Sequence, residues 1–226
     1  SYDQDQPVST TGSNNFYFNG GQPAKPLPDS TLDQRQNATE VINGNAVITM
    51  LSSGNIEVIC ETGNFIFPCD GITIYVKGNV QIEGNVKGSA TIVSGGDIYI
   101  TDNILYSNKT TDSLALVAED YVILKTEDPN EIRDIEIDAA ICALKESFYV
   151  DKFYAGQPRG ELRIFGALIQ KKQGATGVFD FNTGKLLKGF SQNFRLDPKF
   201  LAKPPQNIPV SGKIRVKAWK DSGAFQ

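Results

Sequence analysis

Three carboxylates alternate through Asp134-Ile135-Glu136-Ile137-Asp138, and in an extended chain residues two apart point the same way, so all three share one outward face. Neighbours so spaced repel unless water, a cation or a substrate stands between them. Acids clustered on a sheet face are what glycan cleavage uses, one carboxyl kept protonated as acid and another ionised as base or nucleophile. A solvated acidic strand has the same pattern with no chemistry, and it is the simpler account. Glu119-Asp120 and Glu127-Asp128 are adjacent pairs whose members diverge in an extended chain and add little. Histidine is absent, which excludes Ser-His-Asp, Cys-His and His-ligated zinc chemistry. With no Gly-rich phosphate loop, EF-hand or Cys-x-x-Cys motif either, the sequence implies no enzyme, no metal and no cofactor.

Three cysteines remain. Cys60 and Cys69 are close enough in sequence for a local disulfide to staple the turn between them in an oxidising compartment, and two free thiols are the equal alternative. Cys142, within Ala-Ala-Ile-Cys-Ala-Leu, reads as a small buried hydrophobe.

Charge is distributed unevenly. Residues 160–226 hold twelve Lys and Arg against four acids, a net of +8, so residues 1–159 carry −12 of the chain's overall −4. Lys171, Lys172, Lys185, Lys188 and Arg195 begin the basic run, and Lys199, Lys203, Lys213, Arg215 and Lys217 continue it. Phe179, Phe181, Phe190, Phe194, Phe200 and Trp219 are interleaved with them. Cations among aromatics could track DNA or an anionic polysaccharide. The plainer reading makes the aromatics a local core and the cations its solvated skin. A third reading uses both signs: opposite charge at the two parts lets copies join head to tail, and such a contact need not close.

The elements that hold these residues are strands. Asn55-Ile56-Glu57-Val58, Asn79-Val80-Gln81-Ile82, Asp97-Ile98-Tyr99-Ile100, Asp134-Ile135-Glu136-Ile137 and Glu161-Leu162-Arg163-Ile164 each read polar, apolar, polar, apolar. A small or turn-tolerant residue follows two places on (Cys60, Gly84, Asp102, Ala139, Gly166), then an apolar one in four of the five segments, Thr62 breaking the rule. Strand, bend, strand fits this spacing. The long interval between Ile98 and Ile135 has room for another repeat at Tyr121-Val122-Ile123-Leu124. Variable steps near 20 residues predict an all-β chain built as a right-handed parallel β-helix, a β-solenoid whose corner loops grow freely and whose Ile82, Ile100, Ile137 and Ile164 stack in one column. An antiparallel β-sandwich is the alternative, since Asn19-Gly20, Asn43-Gly44 and Asp70-Gly71 carry the tight-hairpin signal.

Residues 1–40, with four prolines, read as an N-terminal arm laid over the first repeat, Phe16-Tyr17-Phe18 being its one plausible strand. Residues 41–172 form the solenoid, and residues 173–226, rich in Gly and Pro, wrap it as a cap that covers an open edge. The longest apolar runs, Ala46–Leu51 and Ala139–Leu144, fall far short of the roughly 20 residues a spanning helix needs. Asn37-Ala38-Thr39 and Asn108-Lys109-Thr110 are glycosylation sequons.

Gly95-Gly96-Asp97-Ile98-Tyr99-Ile100-Thr101, Gly166-Ala167-Leu168-Ile169-Gln170-Lys171, Phe194-Arg195-Leu196-Asp197-Pro198 and Pro204-Pro205, in that order, resemble the solenoid region of bacterial type IV pilus-associated proteins of the competence-associated minor pilin type. The resemblance spans residues 72–209, and the pilin-like helix of that group is missing from the chain. It implies an extracellular or envelope-attached structural module, with adhesion or DNA capture in some members, other appendage subunits as partners, and no catalytic residue. The run Gly78 to Gly88 is similar to bactofilin-like rods, which are shorter and more uniform and lack a Pro-rich tail.

Overall fold

β-Branched and aromatic side chains fit a pleated, half-buried surface, and the alternating segments are made of them. A computed structural model describes residues 27–209, and nearly every element in it is a strand. A short helix α1 (Leu32–Gln36) precedes β1 (Glu40–Ile42), β2 (Ala46–Leu51), β3 (Asn55–Cys60), β4 (Gly63–Pro68) and β5 (Asp70–Val76). Next come β6 (Val80–Val86), β7 (Ser89–Ser94), β8 (Ile98–Tyr106), β9 (Ser113–Ala118) and β10 (Val122–Leu124). β11 (Ile135–Ala143), β12 (Phe148–Val150), β13 (Pro158–Gln170), β14 (Gly177–Phe179), β15 (Leu186–Leu196) and a single helical turn α2 (Lys199–Ala202) complete the chain.

All fifteen strands join one curled, mixed sheet whose pairing is mostly parallel. In one ladder Ile74 faces Ile92, Ile92 faces Leu116, Leu116 faces Ile141 and Ile141 faces Leu168, at steps of 18, 24, 25 and 27 residues. A second ladder matches Ile48, Ile82, Ile100, Leu124 and Val150. A third matches Ile104, Ile137, Ile164 and Phe194. Tyr121–Leu124 thus supplies the extra repeat expected inside the long interval, as β10. The single column expected of Ile82, Ile100, Ile137 and Ile164 is corrected: Ile82 and Ile100 belong to the second ladder, Ile137 and Ile164 to the third. β8 makes the division, its first half pairing with β10 and its second half with β11.

Antiparallel pairing, the mark of the alternative architecture, is confined to the meander β2–β3–β4 and to β14–β15 among the described residues. The expected hairpin signals do not make these turns. Gly44 joins β1 to β2, which pair with different strands, and Gly71 lies in a bulge of β5; Asn19-Gly20 lies outside the described residues. Thr62, the residue that broke the repeat, sits in the turn that closes β3 onto β4. Parallel stacking also requires close backbone approach: at Gly84, φ +112°, a Cβ would collide with the Met50 carbonyl of the neighbouring strand.

Inward aliphatics from β1 through β15 form one continuous core. A second, smaller core lies on the outside of the first ladder, where Tyr75, Val93, Val117, Cys142 and Leu144 pack with Ala38 and Ile169. The described segments before β1 and after β15 lie on that side. Thr31 donates to Glu119, Arg35 stands 5.9 Å from the Tyr75 ring centre, and the Thr91 hydroxyl donates to the Gln206 carbonyl. The Asn207 amide reaches the Gln34 carbonyl at 3.0 Å, so the leading and trailing segments meet. Phe16-Tyr17-Phe18 lies outside the described residues.

The Cys60–Cys69 staple does not form; all three cysteines are free. Cys60 faces Gly63 at the turn end of β3–β4, whereas Cys69 follows Pro68, which faces Asn55 at the far end. About 17 Å of strand separates the two ends, well beyond the roughly 7 Å a disulfide spans. A hydrogen bond with Thr62 lowers the Cys60 thiol, while burial pushes Cys69 up to about 11 and Cys142 up to about 12. A thiol reagent at neutral pH should therefore modify one cysteine of the native protein, Cys60, and reach the other two only on unfolding; mass spectrometry of the native and denatured protein counts them. Leu116→Ala should cost about 2 to 5 kcal/mol in urea unfolding because the side chain is fully buried in its ladder. Ile66→Ala, on the exposed strand β4, should stay within about 0.5 kcal/mol.

Candidate functional site

The basic residues of the chain's second half come from three places. Lys171 and Lys172 follow β13 at a corner, their backbone N–H groups on the Glu146 carbonyl, and the Lys172 ammonium pairs with the Glu146 carboxylate. Lys185 lies in the β14–β15 hairpin loop, and Lys188 on β15 donates to the Tyr154 carbonyl at 3.0 Å. Arg195 lies opposite Phe165 in the β13–β15 ladder, exposed. Lys199 and Lys203 belong to the segment crossing back over the sheet, while Lys213, Arg215 and Lys217 lie outside the described residues. Of the interleaved aromatics among the described residues only Phe190 is fully buried in the core; Phe181 is wholly exposed, and Phe179 and Phe194 are about two-fifths exposed.

Lys199 is held on every side. Its ammonium pairs with Asp197 at 2.8 Å, donates to the Lys109 carbonyl at 2.7 Å and stands 4.4 Å from the Tyr106 ring centre. Here the trailing segment arches over β5, β7 and β9 and leaves a groove of about 340 Å³. Ser89, Thr91 and Ser113 from the strands and Thr110 and Thr111 from the preceding loop present hydroxyls to it, with Lys199 and Lys203 on the opposite wall. None of its lining residues is a carboxylate. Hydroxyls with one free ammonium can hydrogen-bond a polar or anionic group, but they provide no nucleophile paired with a base. Sequence reasoning found the lysines and missed the hydroxyls, because Ser89 and Ser113 meet only through strand register.

The acidic trio is not a site of cooperating carboxyls. Asp134 accepts from the Glu161 backbone N–H at 2.9 Å and from Arg163 at 2.7 Å, and these hold its carboxyl below the usual range. Glu136 pairs with Lys109. Asp138 is fully buried, accepting the Tyr106 backbone N–H at 2.9 Å with the Lys109 ammonium 3.4 Å from its other oxygen. Burial pushes its carboxyl up, only partly countered by that hydrogen bond and by Lys109.

The ion pairs between successive strands of the ladders share a polarity. Asp102 pairs with Arg133, Glu119 with Lys145, Asp134 with Arg163 and Glu146 with Lys172, the acid coming first in the chain each time and the base 26 to 31 residues later. Lys109, reaching forward from a loop to Glu136 and Asp138, is the exception. Among the described residues Lys185, Lys188, Arg195 and Lys203 belong to the last elements of the chain, and none is in an ion pair.

Lys109→Met should destabilise the protein by about 1 to 3 kcal/mol at pH 7, because it leaves the buried Asp138 carboxylate without a countercharge. Since the folded state holds Asp138 above its unfolded value, protonation relieves that penalty as pH falls toward the raised value, so the deficit should shrink in urea melts run at lower pH. Comparison of the chain with protein-family models, with curated proteins and with solved structures returns no match.

Proposed function

We propose that the curled sheet is a right-handed parallel β-helix serving as an exported structural and interaction module of a pilus or other surface appendage, whose ends join copies of itself or neighbouring subunits. The observation that carries the reading is unpaired charge of opposite sign at the two ends of the strand order. Within the chain each strand's acids pair with bases of the strand that follows, and that pairing by itself leaves no base over at the end. Lys185, Lys188 and Arg195, on and beside β15, nevertheless have no ion-pair partner among the described residues, and Glu40 on the edge strand β1 has none at the other end. The first strands of a following copy offer the acids these bases lack, in the reverse of the sense used within the chain. Such exposed pairs contribute little binding energy each, but they set orientation and register and reject like-charged ends.

Support also comes from the matched aliphatics, whose steps lengthen from 18 to 27 residues while their register holds, as layers of constant section with loops of varying length require. No helix among the described residues is long and apolar enough to cross a membrane. Capture of DNA or another polyanion is a second reading, favoured by the same unmatched bases, with Lys171 added.

At low ionic strength and rising concentration, sedimentation velocity should report elongated oligomers that salt disperses. Lys188→Glu combined with Arg195→Glu should abolish them, and a single monomeric species at every concentration in low salt would remove the head-to-tail reading. Under the second reading, DNA binds with an affinity falling steeply with salt, and charge reversal at Lys171, Lys172 and Lys188 should abolish it; unchanged affinity after those reversals excludes capture by these residues.

A further inference from the structure

The outward side of the second ladder carries a register-matched stripe that, among the described residues, accepts no hydrogen bond from the segments before β1 or after β15. Tyr149 faces Ile123, Ile123 faces Tyr99, Tyr99 faces Gln81, Gln81 faces Val47 and Val47 faces Ile59, on six neighbouring strands. At roughly 4.8 Å per strand the stripe runs about 24 Å across the sheet. Its inward neighbours are buried in the core, so the period of two leaves these side chains no direction but outward. Val47 and Ile59, paired across β2 and β3, are 43% and 46% exposed, so the stripe ends in an adjoining aliphatic pair open to solvent.

One end of the stripe is aromatic and fixed. The Tyr121 ring meets Tyr149 edge to face at 5.6 Å, and together with Tyr99 they frame Ile123, which is only 5% exposed. The Tyr99 hydroxyl donates to Asp97 at 3.0 Å, and the Lys125 ammonium stands 5.3 Å from the Tyr99 ring centre. Burial, then the Asp97 carboxylate, pushes the Tyr99 phenol up, and burial, then Asp151, does so for Tyr149. The rings therefore sit among two carboxylates and one ammonium, a setting that does not attract a polyanion but offers both donors and acceptors.

We propose that this stripe binds a neutral polysaccharide, laid across the strands with its sugar rings on Tyr99, Tyr149 and the Val47–Ile59 pair. A pyranose presents C–H bonds on its faces and hydroxyls at its rim. The first kind of surface packs on aromatic and aliphatic side chains, and the second hydrogen-bonds amides, phenols and carboxylates such as Gln81, Tyr149 and Asp97. Rigid tyrosines lose little entropy on contact, which suits a weakly hydrophobic ligand. A polymer fits better than a single sugar because the stripe is open at its ends and has no enclosing wall. This inference is independent of any head-to-tail contact, which uses the last and first layers.

The test is affinity electrophoresis and calorimetry of the full chain with three neutral probes, a soluble β-glucan, a mannan and a chito-oligosaccharide, and with DNA and hyaluronate as polyanions. At least one neutral probe should bind, with an affinity unaffected by salt. Tyr99→Ala and Tyr149→Ala should each weaken it about tenfold, the value of one aromatic contact, while Tyr149→Phe keeps the ring and stays within a few-fold. Thermal melts of each variant separate loss of binding from loss of fold. Binding of no neutral probe, binding of polyanions alone, alanine variants that bind like the parent, or a tyrosine stripe that instead drives self-association in sedimentation would each overturn the proposal.

Discussion

Parallel pairing between strands that are distant in sequence is the constraint on which everything else in this molecule depends. A parallel neighbour cannot be reached by a tight turn, so the chain must travel 18 residues or more before it can lay an equivalent strand beside the last. Once it does, register is fixed, because a slip of one residue would move Ile74, Ile92, Leu116 and Ile141 together from the core to the outside. Burial of such side chains is worth about 1.5 to 3 kcal/mol each, so a slipped ladder loses several contributions at once. The same coupling forces glycine where backbones must touch, as at Gly84 beneath Met50.

Fixed register also decides what the outside can be. The first ladder places small and aliphatic residues on its outer side, and the chain covers them with its own leading and trailing segments, giving the second core around Val93, Val117 and Cys142. Parallel strands are usually buried on both faces, and this side obeys that rule without a packed helical layer. Among the described residues those segments do not cover the outer side of the second ladder, which is lined by Tyr99 and Tyr149 around a buried Ile123 and, farther along, by Val47 and Ile59. The outer side of one ladder is buried by the chain's own segments and that of the other is not, and the difference follows from where the described flanking segments lie.

Much of this was legible in the sequence because the period of two is local. Val80, Ile98 and Ile135 each open a strand where the alternation placed one, and β10 appears within the long interval. Which ladder a strand joins was not legible. Polar-apolar alternation looks the same on every side of a bend, so nothing near Ile137 says that its partner is Ile104 and not Ile100. The β3–β4 hairpin did leave a mark, since Thr62 stands where the repeat called for an apolar residue and marks a turn. The groove and the tyrosine stripe left none. Ser89 with Ser113, and Tyr99 with Tyr149, are separated by dozens of residues of independent sequence, and only the ladder makes them neighbours.

The charge asymmetry of the chain acquires a physical origin in this frame. An acid surplus early and a base surplus late would be costly in a globule, where like charges crowd one side. Along the parallel ladders an acid meets a base from the strand that follows, as Glu119–Lys145 and Glu146–Lys172 show. Pairing in this sense places acids such as Asp134 and Glu146 early and bases such as Arg163 and Lys172 late, and it accounts for part of the gradient, the rest lying in Lys185, Lys188, Arg195 and Lys203, which have no ion-pair partner among the described residues. The residues that fall outside this scheme then carry the most information. Lys109, paired forward, neutralises a buried Asp138 beneath the returning segment, and Lys199 is fixed by Asp197 in the same place, so these two cations hold the trailing strap to the sheet rather than facing a partner.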